Sequence, residues 1–312
     1  MQTNLFTEEN QPERLRKLEQ LGFIKISDFP VMKYLPYQEH IRQSDLAYSL
    51  LYAWEFAFGY RIRVISENPV ITGFNSEGGL FFSVIPCQPE SFMDTVDEAV
   101  SLLKGIEPGL MLKYIHEPEA RALEARGFAV SYSLDYSDYI YKADEFVSIA
   151  GKKNNSKRHE YNRMAQNVPA PRYCDLEPEQ FEDVRRVFSD WCSEHSCSEC
   201  IWGCEKNACL RLLEHAARYP ERFIAGAVYL EGVPRSFGIA ERINQDCVCY
   251  HVQKNSIAAG GLTYYLHHHM ACRHLDVPYI NWGEDMGIMG LRFNKQKYHP
   301  CAMEHKYEIR FQ

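Results

Sequence analysis

At 312 residues, with 46% of them apolar, the chain is long enough for two ordinary domains with well-filled cores. Its formal net charge of -8, from 34 basic against 42 acidic residues, excludes a surface that coats nucleic acid by charge throughout and leaves only local basic patches. No apolar run reaches membrane-spanning length, and Met1-Gln2-Thr3-Asn4-Leu5 has neither a basic head nor an apolar core, so a cytoplasmic protein is expected.

Taken in order, Pro12 to Leu21 reads as an amphipathic helix closed by Gly22, followed by strand-like Phe23 to Ile26. Ser44 or Asp45 caps a second helix with Leu46, Leu50, Trp54 and Phe58 on one face and Gly59 at its end. Three short β-type runs follow, Tyr60–Ile65, Pro69–Phe74 and Leu80–Ile85, separated by turn residues as in antiparallel hairpins. Next come a helix from Phe92 to Lys104, a buried strand Leu110–Ile115, a short helix Pro118 to Arg126, and one long alternating strand, Phe128–Tyr136.

The second half repeats this order. A basic helix around Lys152–Arg163 leads to a strand at Arg172–Leu176 and helices at Glu177–Cys192 and Glu205–Tyr219. Strands Ile224–Leu230, Ser236–Arg242 and Cys247–Gln253 precede a helix from Gly261 to Leu275, a strand Tyr279–Trp282 and a final alternating strand Met303–Phe311. The repeat is one of element order without residue-level periodicity. It predicts an α+β protein with mixed sheets, divided into residues 1–145 and 146–312.

Eleven cysteines without a secretion signal read as thiols or metal ligands and not as disulfides. Cys197, Cys200 and Cys204 are the candidates for zinc or an iron–sulfur cluster, against the simpler reading of small buried residues. His267-His268-His269 points in successive helix directions, so only His268 and Cys272, four apart, share a face.

The segment Tyr279 to Pro300 has little apolar periodicity. It leaves a strand and then carries Glu284, Asp285, three glycines, Arg292 and Lys295. Strand ends with charged turns are common places for active sites, and the plain alternative is a solvated turn with a Glu284–Arg292 pair.

The order β–β–β–α–β resembles the GNAT (acyl-CoA N-acyltransferase) fold, in which the segment after the central strand binds a donor pyrophosphate. Here that segment is Lys254 to Gly261, with Gly260 and Gly261 at the helix start. Gly151-Lys152-Lys153 with Lys157-Arg158, the run His251-Val252-Gln253-Lys254, and Asn281-Trp282-Gly283-Glu284-Asp285-Met286-Gly287 with Gly290-Leu291-Arg292, Lys295 and Tyr298-His299-Pro300 extend the likeness. Together they resemble the phosphatidylglycerol lysyltransferase C-terminal-like family, also known as DUF2156, built of two tandem GNAT-like domains. The family more often has Asn-Arg-Glu before Asp-Leu-Gly, where this chain has Asn281-Trp282-Gly283-Glu284.

The resemblance implies transfer of an aminoacyl or acyl group from an activated donor, aminoacyl-tRNA or a coenzyme A thioester, to an amine or hydroxyl of a small-molecule or peptide acceptor. Characterised relatives modify lipid headgroups or extend peptidoglycan bridges; the membrane domain of the lipid-modifying enzymes is not in this sequence. In this reading Glu284 or Asp285 orients or deprotonates the acceptor, and Tyr298 protonates the leaving oxygen. Arg292 and Lys295 hold phosphate or carboxylate, with Asn281, Lys254, Gly260 and Gly261 lining the donor site. Lys152, Lys153, Lys157 and Arg158 of the basic helix grip tRNA phosphates. The rival readings are a coenzyme A-dependent N-acetyltransferase and a non-catalytic ligand- or metal-binding protein on the same fold.

Overall fold

The computed structural model describes residues 11–166, 169–194, 205–256 and 261–311. Its strands are β1 (Ile24–Lys25), β2 (Arg61–Ile65), β3 (Asn68–Phe74), β4 (Leu80–Val84), β5 (Met111–Ile115), β6 (Ser131–Tyr132), β7 (Asp138–Lys142), β8 (Arg172–Asp175), β9 (Phe223–Leu230), β10 (Val233–Arg242), β11 (Cys247–Asn255), β12 (Tyr279–Asn281), β13 (Ala302–Glu304) and β14 (Tyr307–Arg310). They form two seven-stranded sheets, ordered β1-β2-β3-β4-β5-β14-β6 and β13-β7-β12-β11-β10-β9-β8. Each sheet is mixed: hairpin-connected antiparallel strands, then one parallel pair, β4 with β5 and β11 with β12.

Side-chain alternation explains why both sheets are covered on both faces. All seven residues of β3 are buried. Val70 and Phe74 join the core under the helix Phe92–Leu103, whereas Ile71 joins the core under the helix Tyr48–Phe58. Gly59 ends the latter helix in the left-handed region at φ 59°, where its N–H bonds the Glu55 carbonyl at 2.8 Å. In the second sheet Val228, Val248, Tyr250 and Ile280 face the helix Leu262–Ala271, while Tyr229, Phe237 and Ile239 face the helices Phe181–Glu194 and Glu205–Arg218. Ala53, from the first half, enters that last core.

The two halves exchange their closing strands. β7 leaves the first half and pairs antiparallel with β12, and β14 returns from the second half to pair antiparallel with β5. The sheets therefore do not divide the chain at residue 145. The run Phe128–Tyr136, expected as one strand, is cut to β6 by a 3-10 turn at Leu134–Tyr136, and the run Met303–Phe311 is split between the two sheets. Alternation specifies which residues of a strand face a core, and it is silent on which sheet the strand enters.

Candidate functional site

β11 and β12 are paired only from Cys247–Cys249 to Tyr279–Asn281. β11 continues to Asn255 while β12 stops, so the two strands part. Just past the pairing, β11 bulges: its register with β10 steps from Tyr250 opposite Ala240 to Val252 opposite Ile239, and the skipped His251 is turned towards Glu241 at 3.1 Å. Glu241 also receives a hydrogen bond from Ser49 and lies 3.4 Å from Arg222, so this buried carboxylate ties the first half to the second sheet.

On one side of the gap lies the acidic stretch. Glu284, Asp45 and Asp138 converge on the ammonium of Lys306, which lies between β13 and β14 where the chain crosses between sheets. Lys306 is 2.7 Å from Asp138 and 2.7 Å from Glu284, and it contacts Asp45 as well. The other oxygen of Asp138 accepts from the Ser44 amide at 2.9 Å, the Ser44 hydroxyl at 3.0 Å and the Asn281 amide at 2.9 Å. Oxygens of these three acids lie within 4.8 Å of one another, and an ammonium takes the place a metal ion would need. Burial pushes the Glu284 carboxyl up to about 7 against the pull of Lys306.

Asp285 is buried and fully engaged. Arg292 donates to both its oxygens at 2.8 Å, the Tyr139 hydroxyl donates at 2.6 Å, and the Gly287 amide donates at 2.9 Å. Burial opposes ionisation, but these donors, led by Arg292, hold Asp285 down to about 2. A carboxylate so held is a poor proton acceptor near neutral pH. Arg292 also pairs with Asp135, and Lys295 donates to the carbonyls of Trp282 and Gly283, so neither is a free anion ligand. Asn281 is buried, bonding Asp138, the Arg42 carbonyl and the Gly283 amide.

On the other side of the gap three buried polar side chains, His267, Tyr264 and Tyr298, lack partners among the described residues. A recess of about 220 Å³, counting the part open to solvent, is lined by Glu145, Phe146, Ile149, Lys157, Tyr264, His267, His268 and Tyr298. His267 lies 1% exposed among Phe146, Tyr250, Trp282 and Tyr298, and neither ring nitrogen has a hydrogen-bond partner. The buried hydroxyls of Tyr264 and Tyr298, whose rings stack at 4.5 Å, also lack partners. Lys157 donates to the Tyr298 carbonyl at 2.8 Å and lies 4.8 Å from the Tyr298 ring centre. Burial lowers Lys157 to about 8 and His267 to about 3, and raises Tyr298 well above the usual phenol range. At pH 7 the recess therefore presents a neutral imidazole, two phenols and an ammonium. Native proteins seldom leave so many buried polar atoms unpaired in one place without a ligand or water to meet them.

Of the sequence candidates, Tyr298 and Lys157 reach this recess and Glu284, Asp285, Asn281, Arg292 and Lys295 do not line it. Lys152 and Lys153 are exposed on the basic segment, Lys153 paired with Glu145 at 2.7 Å. Arg158 is turned back onto the Ile149 carbonyl at 2.9 Å and the Asn155 side chain, and is not free for phosphate. Lys254 lies on the opposite face of the sheet, 2.8 Å from Glu205 and 4.0 Å from the Trp191 ring centre. Gly261 caps the helix Leu262–Ala271 at φ 94°, and a Cβ there would lie 2.8 Å from an Arg163 nitrogen. Gly260, Cys197, Cys200 and Cys204 lie outside the described residues. His267 and Tyr264 escaped the sequence reading: three adjacent histidines gave no ligand face, and the signal lay in the one that the helix turns inward beside Trp282.

Among the described residues no helix is long and apolar enough to cross a membrane. No curated protein matches the chain. A conserved protein of unknown function from Bacteroides thetaiotaomicron is 23% identical, with 93% of this chain and 99% of that chain covered at a TM-score of 0.80. The C-terminal DUF2156 domain of a protein described as a lysylphosphatidylglycerol synthetase, from Agrobacterium fabrum, is 14% identical over 96% of this chain and 92% of that one, TM-score 0.64. L-PGS from Bacillus licheniformis is 15% identical over 90% of this chain and 91% of that one, TM-score 0.61. These structures share the fold. The family described as phosphatidylglycerol lysyltransferase, C-terminal, matches residues 38–310, and the chain belongs to that family.

Proposed function

We propose that the chain transfers an aminoacyl group from an activated ester donor of the aminoacyl-tRNA type to an amine or hydroxyl acceptor, with the recess beside Trp282 as its reaction site. Membership of the lysyltransferase family supports the reaction class. The observation that carries the location is the set of unpartnered Tyr264, Tyr298 and His267 atoms beside buried Lys157 at the parting of β11 and β12. In this reading each half is a GNAT-like unit, nominally 1–145 and 146–312, and the second carries the site.

Ester aminolysis or transesterification develops negative charge on the carbonyl oxygen and must deliver a proton to the leaving alkoxide. The phenol of Tyr264 is free to donate to that oxygen, while Tyr298 gives its proton to the leaving alkoxide and is restored by the proton that the attacking amine or hydroxyl loses. Neutral His267 supplies an acceptor nitrogen that orients the incoming nucleophile. Glu284 and Asp285 act from outside: they fix the turn that ends at Tyr298 and the helix Met289–Lys297 before it. Lys152 and Lys153 offer exposed charge to a tRNA backbone at the mouth, which sets the reaction in the cytoplasm, where charged tRNA is found.

The test is direct. Purified protein is given a pool of tRNAs charged with labelled amino acids, together with amine acceptors and phospholipid vesicles, and label leaving the tRNA is followed into each acceptor. Protein-dependent transfer that disappears in Tyr298→Phe, with the melting temperature unchanged, supports the reading. Consumption of acetyl-CoA with no loss of label from any tRNA would replace it by coenzyme A-dependent acetylation.

A further inference from the structure

We infer that the outer face of the helix Met289–Lys297, together with the turn before it, is the surface on which a second copy of this chain docks. Of the helix's residues only Lys295 is buried. Met286, Ile288, Met289, Leu291 and Phe293 are all exposed, Met289 at 71% and Phe293 at 66%. So short a helix is not stable in water by itself, and in folded proteins such helices are normally held by burying an apolar face. This one has the apolar face and leaves it uncovered. It is pinned instead by its cations: Arg292 to Asp285 and Asp135, Lys295 to the carbonyls of Trp282 and Gly283, and Lys297 to Glu160 at 2.9 Å.

The segment after β6 continues the face. The Met286 amide donates to the Asp135 carbonyl at 2.7 Å, which brings the exposed Leu134 and Tyr136 alongside the turn. At their fractional exposures these apolar side chains together present on the order of 700 Å², more than the few hundred Å² usual for an apolar patch on a monomer and close to the ~800 Å² that each partner of a stable complex buries. The chemistry favours protein over lipid. Helices that lie on membranes offer free Lys and Arg to anionic head groups, whereas the three cations of this helix are engaged within the chain, whose net charge is -8. The two charges embedded in the face, Asp135 and Arg292, pair with each other, so two such faces meet across a twofold axis without like-charge repulsion. Gly290 leaves a notch beside Met289 and Phe293, since a Cβ there would meet nothing within 4 Å, and a notch lets a second helix approach closely. Tyr298 follows the last residue of the helix, so a copy docked here also braces the element that leads to the recess.

Sedimentation velocity of the full chain tests this, in reducing buffer so that the exposed Cys272 and Cys301 stay thiols. Over a range of about 1 to 100 μM we expect the parent to be a dimer at the upper end and its melting temperature to rise with concentration. Phe293→Asp and Met289→Asp each set a carboxylate in the face and are expected to weaken association on the order of tenfold or more. Both should melt like the parent at the lowest concentration, because the replaced side chains are exposed. Should either variant fail to fold, the uncharged Phe293→Gln and Met289→Gln take their places. A parent that stays monomeric at the highest concentration overturns the proposal, and so does a dimer that the variants form as readily. Flotation of a monomeric parent with vesicles of phosphatidylcholine, or of phosphatidylcholine mixed with anionic phosphatidylglycerol, lost in Phe293→Asp, assigns the face to a lipid surface and likewise overturns it.

Discussion

Trp282 separates two polar regions with opposite bookkeeping. Towards the sheet crossing, Asp138, Asp285, Arg292, Lys295 and Lys306 each meet donors or acceptors of the opposite kind. Towards the helix Leu262–Ala271, the ring nitrogens of His267 and the hydroxyls of Tyr264 and Tyr298 meet none among the described residues. The first region was the more conspicuous in sequence because it is charged, yet saturated charge holds a fold together, and unsatisfied polarity is what a ligand can answer. Charge density and availability for chemistry are different properties.

Substitutions should break the two regions differently. The largest effect is expected for Asp138→Ala, which takes from Lys306 the one of its three carboxylates that is fully buried and leaves the Ser44 amide and the Asn281 side chain without their acceptor. A loss of about 3–5 kcal/mol in denaturant unfolding is expected, and a change below about 1 kcal/mol would show that the crossing does not depend on this network. Next is Tyr298→Phe, expected to lower transfer by about 10²- to 10³-fold while stability stays within about 0.5 kcal/mol, because the deleted hydroxyl had no bond to lose. Equal losses of both would place Tyr298 with the structural region.

A smaller, pH-dependent effect is expected at Glu284. Its carboxyl is raised in the fold from the ordinary 4.5 to about 7, so its contribution is fully present below about 4.5 and is lost as pH rises through about 7. Melting temperatures of the parent should therefore fall more between pH 5 and pH 8 than those of Glu284→Gln. Glu304, which burial also raises to about 7, is common to both proteins and cancels in the comparison. Parallel curves would show that Glu284 does not titrate in this window. The smallest effect is expected for Lys152→Ala, which should leave folding unchanged and reduce the salt dependence of tRNA binding by about one unit of log–log slope. An unchanged slope would remove that lysine from the nucleic-acid face.

The element order and most boundaries were legible because they rest on local periodicity, as at Phe92–Leu103 and β3. The destinations of β7 and β14 were not, since a four- or five-residue alternating run has no local mark of its partner. In the site, Tyr298 and Lys157 were singled out for roles that their burial alters: Lys157 was expected on a phosphate-facing surface and is turned inward. His267 was hidden in a run of three identical residues, where only the helix phase and the position of Trp282 distinguish it. Asp285 and Arg292 were conspicuous as a pair of opposite charges, and their partner Tyr139 lies 146 residues away from Asp285 in sequence.

The exchanged strands also constrain how the chain reaches this state. β14 seals the first sheet from a position 199 residues along from Met111, as the Arg310–Met111 contact records. Until that segment arrives, β5 has a bare edge and the core that Tyr307 and Ile309 complete is open. Lys306 must dock in the same event, bringing its charge to three carboxylates that otherwise repel one another. Closure of the first sheet and neutralisation of the acidic cluster thereby depend on the same segment, which favours all-or-none assembly of the two sheets over stepwise maturation.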